Sequence, residues 1–186
     1  MGFAKWRGLL LCFLMILVAG CNGTGDDLNP SDSDNRPAEQ PGTTGNAVGQ
    51  NGPDFTLADT LGNNITLSAV FPTAPAVVIY FSMEWCPICE VHLDSIRSAM
   101  IPSFPKVLFY VVDYTGGSVG AVLNWAQSSG YADGGWTVLA DTSQNVLDLY
   151  QATMGTTVVI DKSGVVQMNE DYKDGTRLQE ILTTLP

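Results

Sequence analysis

The chain has 186 residues, enough for one domain with extensions, and its 45% apolar content is ordinary for a chain that buries a core. Asp and Glu number 19 against 8 Lys and Arg, for a net charge of -11. That balance repels phosphate backbones and argues against nucleic acid as a partner.

The first element in chain order reads as an export leader. Lys5 and Arg7 form a short positive region, followed by Gly8 to Val18, an apolar run of 11 residues. The run is too short to span a bilayer and suits a signal-peptide core. It ends in Val18-Ala19-Gly20-Cys21, which resembles the lipobox of bacterial lipoproteins. The resemblance implies cleavage after residue 20 and a lipid on Cys21; a plain secretory signal with an incidental Cys21 is the alternative. Asn22 then implies, by the enterobacterial sorting pattern, outer rather than inner membrane, facing the periplasm. Residues 21–50 are rich in Asp, Asn, Gly, Thr, Ser and Pro, with only Leu28, Ala38, Ala47 and Val48 aliphatic. Such a segment is expected to stay disordered. As a tether it would reach roughly 30 Å, holding a folded domain of residues 51–186 off a membrane.

Within that domain, Phe55-Thr56-Leu57 and Ile65-Thr66-Leu67 predict a short hairpin. Ala76 to Phe81 is a continuous apolar run suited to a central strand covered on both faces. A helix from Pro87 to Met100 follows, with Pro87 in the first turn, where its missing N–H costs nothing. A second buried strand is predicted over Val107 to Val112 and a helix over Ser118 to Ser129. A short strand over Thr137 to Ala140 and a short helix over Asn145 to Tyr150 come next. Two strands, Thr157 to Ile160 and Val165 to Met168, flank the turn Asp161-Lys162-Ser163-Gly164, and an amphipathic helix over Thr176 to Leu185 closes the chain. Strands that alternate with helices and finish in a hairpin indicate an α/β domain whose first strands are parallel.

The chemistry lies in Glu84-Trp85-Cys86-Pro87-Ile88-Cys89, where a buried strand turns into a helix. A Cys there faces unpaired helix N–H groups and the positive end of the helix dipole, both of which favour thiolate. Cys89 is within reach for a disulfide, so one sulfur can attack a partner's disulfide and the other resolve the mixed intermediate. Zinc would need a second ligand pair, which is missing, and haem attachment would need His where Glu90 stands. A structural bridge over so short a loop would stabilise little. A peroxidase of the peroxiredoxin type would carry Thr or Ser where Met83 stands.

Residues 51–186 resemble the thioredoxin superfamily, in particular the exported TlpA/ResA-like branch of the redoxin, AhpC/TSA-type group. The resemblance is carried by Pro53-Asp54-Phe55-Thr56-Leu57, by Tyr80 to Cys89, and by Thr156-Thr157-Val158-Val159-Ile160-Asp161-Lys162-Ser163-Gly164. It implies a thioredoxin-like fold, a central mixed sheet flanked by helices with an N-terminal β-hairpin extension. It also implies Cys86 as the exposed nucleophile, Cys89 as the resolving thiol, and Trp85 as a platform for the partner's chain; a partly buried packing aromatic is the other reading of Trp85. The expected cofactor is none beyond the Cys86–Cys89 disulfide.

Three departures from the family pattern matter. Gly155 stands where members place a cis-Pro facing the dithiol; a trans bond is therefore expected, with more room at the sulfurs, and Gly155→Pro is expected to make the site more thioredoxin-like. Tyr80 stands where the thioredoxin branch buries an acid, and His92, the only His in the chain, stands where the TlpA/ResA-like branch carries Glu. His92 shares a helix face with Cys89 and is either a proton acceptor for it or a packing residue. The Pro87-Ile88 dipeptide leaves the direction of electron flow open. The leading expectation is a membrane-anchored thiol–disulfide oxidoreductase, a reductase of exported proteins served by an upstream thiol reductant. The alternatives are a soft-metal (copper) carrier using the same thiolates, and a turnover-impaired thioredoxin-like lipoprotein.

Overall fold

The structure, a computed structural model, describes residues 40–115 and 117–185. The leader, Cys21, Asn22 and the tether up to residue 39 lie outside the described residues. Among the described residues no helix is long and apolar enough to cross a membrane.

The domain opens with the antiparallel pair β1 (Thr56–Asp59) and β2 (Asn64–Thr66). Asp59 closes their turn by accepting the amides of Leu61 and Asn63 at 2.9 and 2.8 Å. Leu67, expected to end β2, instead begins α1 (Leu67–Val70) and is fully buried. The next strand, β3 (Ala76–Ser82), is buried at every position, and full burial of each Val or Ile there contributes about 1.5–3 kcal/mol. The helix α2 (Pro87–Ser95) runs on through a π-helical turn, Ile96–Met100, into a last α turn, Ile101–Ser103. Pro102 in that last turn has no N–H to continue the regular ladder, which accounts for the irregular stretch before it. Then come β4 (Leu108–Asp113), α3 (Val119–Ser128), β5 (Thr137–Ala140), α4 (Asn145–Tyr150), β6 (Thr156–Asp161), β7 (Val166–Asp171) and α5 (Thr176–Thr184).

The strands form one seven-stranded mixed sheet in the order β2-β1-β5-β4-β3-β6-β7. Strands β3, β4 and β5 are parallel, and the other pairings are antiparallel. Alternation along each strand divides the core into two. Val78, Tyr80 and Val111 face α2, α3 and α5, packing with Leu93, Ile96, Trp125 and Leu178. Val77, Ile79, Phe81 and Val112 face α1 and α4, packing with Leu67, Val146 and Tyr150. This is a thioredoxin-like fold, and it places the end of β3 against the start of α2.

The composition of residues 40–50 predicted disordered tether; the structure corrects that boundary. These residues form a strap along the outer edge of β7. The amide of Gly49 donates to the Val166 carbonyl and the amide of Val166 to the Gln50 carbonyl, each at 2.9 Å. Asn46 donates through Nδ2 to the Tyr150 carbonyl and accepts at its own carbonyl from Asn169 Nδ2. A polar segment can be ordered without burying apolar area when a sheet edge offers it unpaired backbone groups.

Candidate active site

Cys86 and Cys89 form a disulfide with their Cα atoms 5.2 Å apart. Cys86 is the N-cap of α2, in extended backbone, and its Sγ accepts the Cys89 amide at 3.0 Å. Pro87 takes the first helical position, where its fixed φ suits the helix and its lack of an amide leaves no donor unpaired. The sulfur of Cys86 thus sits where orphan amides of the first turn point.

Cys86 is 3% exposed and Cys89 1%. The expectation of an exposed Cys86 is corrected: in the disulfide form both sulfurs lie within the core cluster of α2 and β3. Glu84 and Glu90 are exposed around them, and so is an apolar surface. Trp85 is 71% exposed, Val91 62% and Ile88 49%. So large an exposure removes the reading of Trp85 as a packing aromatic.

His92 and Tyr80 are brought together. The Tyr80 hydroxyl and His92 Nδ1 are 3.0 Å apart, both side chains buried. The His92 ring also lies 4.7 Å from the Tyr172 ring, and the Tyr172 hydroxyl bonds Ser95 Oγ at 2.8 Å. Burial pushes the Tyr80 phenol well above its usual range and lowers the His92 imidazole below its own. Tyr80 therefore keeps its proton and His92 is neutral. The buried phenol needs an acceptor for that proton, and among the described residues His92 Nδ1 is the one it has. Nδ1 is then an acceptor and Nε2 carries the ring hydrogen. This tautomer has no free lone pair to take a proton from Cys89, so the packing reading of His92 is favoured over the proton acceptor.

Gly155 does not meet the sulfurs first. A Cβ built there lies 3.7 Å from His92 Cε1 and Nδ1 and 3.9 Å from the Tyr80 hydroxyl. Its φ is +88°, and its amide donates to the Phe81 carbonyl at 2.9 Å. Proline can supply neither that φ nor that donor, so the expected gain from Gly155→Pro is overturned. The peptide bonds of the described residues are all trans, as expected before Gly155.

The sequence reading missed a polar pair beside the site. Ser82 and Asp113, in-register neighbours at the ends of β3 and β4, are 0% and 2% exposed. Ser82 Oγ and Asp113 Oδ2 have no hydrogen-bond partner among the described residues. The available signal was a carboxylate ending the apolar run Leu108 to Val112. Among the described residues no group of three or more His, Cys, Asp or Glu converges to hold a metal ion.

Residues 48–169 match the profile of the AhpC/TSA family. No curated protein matches the chain. Among solved structures, a thioredoxin-like protein from Aeropyrum pernix is 16% identical, with a TM-score of 0.60 over 71% of this chain and 89% of its own. A secreted Mycobacterium tuberculosis disulfide oxidoreductase homologous to E. coli DsbE is 18% identical, with a TM-score of 0.54 over 70% and 96%. The exposed lipoprotein thioredoxin Etrx1 of Streptococcus pneumoniae is 22% identical, with a TM-score of 0.58 over 69% and 98%. At these identities the likeness is one of fold.

Proposed function

This chain belongs to the AhpC/TSA family, and on that premise we propose that it is a thiol–disulfide oxidoreductase whose redox group is the Cys86–Cys89 pair. The observation that carries the reading is the disulfide at the N-cap of α2, with Cys86 Sγ already accepting a first-turn amide. In the reduced protein that amide and the helix dipole stabilise a Cys86 thiolate. The thiolate attacks a client disulfide; a bond forms between Cys86 and one client sulfur while the other leaves with the electron pair. Cys89 then attacks Cys86, expels the second client thiolate and restores the internal disulfide. Trp85, Ile88 and Val91 give the client's chain an apolar surface to lie on. His92 and Tyr80 hold the helix against the sheet beneath the sulfurs, and Gly155 lets the backbone pass close to both.

In this reading the protein works as a reductase of exported proteins, served by an upstream thiol donor, and is held in the cell envelope by a lipid on Cys21, at the outer membrane if Asn22 directs sorting. The likeness to an exposed lipoprotein thioredoxin supports that placement. Cys86→Ser is expected to abolish reduction of insulin and Cys89→Ser to accumulate mixed disulfides, because in the latter the attacking thiol remains and the resolving thiol is gone. Faster alkylation of Cys89 than of Cys86 in the reduced protein would reverse the two roles. A reduction potential near the thioredoxin value, about -270 mV, supports the reductase, and one near about -120 mV reverses the direction. Cys21→Ser is expected to leave an unlipidated precursor; unchanged membrane partitioning of that variant removes the anchor.

A further inference from the structure

We propose that Asp113, with Ser82 beside it, is the redox-linked acid of the dithiol: its carboxylate takes up a proton when the disulfide is reduced and releases it on oxidation. The inference rests on the thiol–disulfide reading above. It begins with two buried oxygens, Asp113 Oδ2 and Ser82 Oγ, that have no partner among the described residues. An unpaired buried polar atom costs about 1–3 kcal/mol, and here two occur side by side. Ser82 and Asp113 are in-register partners on parallel strands. By strand alternation Ser82 points to the same face as Tyr80, and Asp113 to the same face as Val111. That is the face whose core cluster contains Cys86 and Cys89. Ser82 is also the last residue of β3, from which the chain turns directly into Glu84-Trp85-Cys86.

The surroundings act on the pKa of Asp113 in both directions, with a net rise. Burial pushes its carboxyl up; the Thr115 amide and hydroxyl, donating to Oδ1 at 3.1 and 2.6 Å, pull it down; and Glu84 in the active-site turn pushes it up again. Tyr114, next in sequence, is itself raised, by burial first and by Asp113 second. From β5 Asp113 meets a backbone amide, that of Asp141, which donates to its carbonyl at 2.8 Å. The facing helix α3 carries no ionisable residue, and α2 brings the dithiol itself and the neutral His92 on its buried side, with Glu90 and Asp94 exposed to solvent. The charge that changes with redox state is therefore the Cys86 thiolate. When it forms, a second negative charge at Asp113 is disfavoured and the carboxylate takes a proton.

The step balances with a dithiol as reductant. Its two thiols become a disulfide and supply two electrons and two protons. The Cys86–Cys89 bond breaks, Cys86 becomes thiolate, Cys89 takes one proton and Asp113 the other. Charge is conserved.

Redox equilibration with dithiothreitol at a series of pH values tests this. In the range where Asp113 takes up its proton, the wild-type equilibrium constant is expected to be independent of pH, because both protons released by dithiothreitol are taken up, one by Cys89 and one by Asp113. Asp113→Asn keeps an acceptor for Thr115 but releases one of the two protons to solvent, so its equilibrium constant is expected to rise tenfold per pH unit, about 30 mV for two electrons. A reduced-minus-oxidised infrared spectrum of the wild-type protein is expected to gain a carboxylic-acid band that shifts on carboxyl labelling of aspartate. That measurement carries the test even where the variant does not fold. A slope in Asp113→Asn equal to wild type, or no aspartic acid band on reduction, overturns the linked acid alone. Failure of Cys86–Cys89 to exchange at all overturns the oxidoreductase reading with it.

Discussion

Gly155 separates two substitutions that would look alike from the family pattern. Alanine adds a Cβ at ordinary contact distance from His92 and Tyr80, so its cost is the positive φ, about 1–2 kcal/mol. Proline forces the wrong φ and removes the bond to the Phe81 carbonyl, for about 2–4 kcal/mol. Urea denaturation of the two variants is expected to rank them in that order. His92 gives a second prediction. Burial holds its folded pKa below the ordinary 6.5, so below that value the unfolded chain binds the extra proton first. Its contribution to stability is complete above about pH 6.5 and is lost as pH falls toward the folded pKa. The wild-type protein should weaken over that window and His92→Gln should not, and the single imidazole signal of the chain reports the titration directly. The dithiol was legible because its spacing and its place after an apolar run are local features. Tyr80 and His92, distant along the chain, could be named singly, but the bond between them depends on which face of β3 meets α2. Asp113 was missed for the same reason: the carboxylate that ends the apolar run Leu108 to Val112 is visible in the sequence, but nothing local distinguishes it from the exposed acid that usually ends a strand.

At the scale of elements, each strand and helix longer than one turn was readable from apolar runs and turn residues, with ends displaced by a few residues. Strand β7 runs to Asp171 rather than Met168 because its last residues pair with Thr156 and Thr157 across the hairpin, beyond where their own hydropathy fails. The π turn before Pro102 was not legible, since a proline within a helical pattern signals a break without saying how the ladder adapts. The strap was misread because composition measures what a segment can bury, whereas residues 40–50 are held by hydrogen bonds to β7 and α4. Its bonds to β7, Tyr150 and Asn169, each contributing about 0.5–1.5 kcal/mol before the entropy of ordering the segment, make a measurable part of stability. Chains beginning at residue 40 and at residue 52 should therefore differ by about 1–3 kcal/mol in urea denaturation, the shorter being weaker. Equal midpoints would mean that the strap is bound without stabilising the fold.

For the whole molecule the governing quantity is the net charge of -11. Around the apolar surface of Trp85, Ile88 and Val91 the exposed acids Glu84 and Glu90 have no salt-bridge partner among the described residues, while Asp94 pairs with Arg97 at 2.8 Å. A field of one sign accelerates encounter with partners of the other. Basic disulfide peptides should be reduced faster than acidic ones of the same length. That advantage should shrink as salt shortens the screening length from about 30 Å at 0.01 M to about 10 Å at 0.1 M. A rate ratio independent of salt would assign the choice of client to shape alone. The strap adds a matter of orientation. Gly49 and Gln50 join β7 at Val166, beside Ile160, while Thr156 and Asp171 lie at the opposite end of the same hairpin, where Gly155 meets Phe81. The two ends are separated by a strand's length, about 17 Å. The strap therefore grips the sheet at the end remote from the dithiol, like a cord fixed to the back of a lamp. Tension on that cord would load the β7 edge first and leave the end of β3, where the dithiol is held, unstrained.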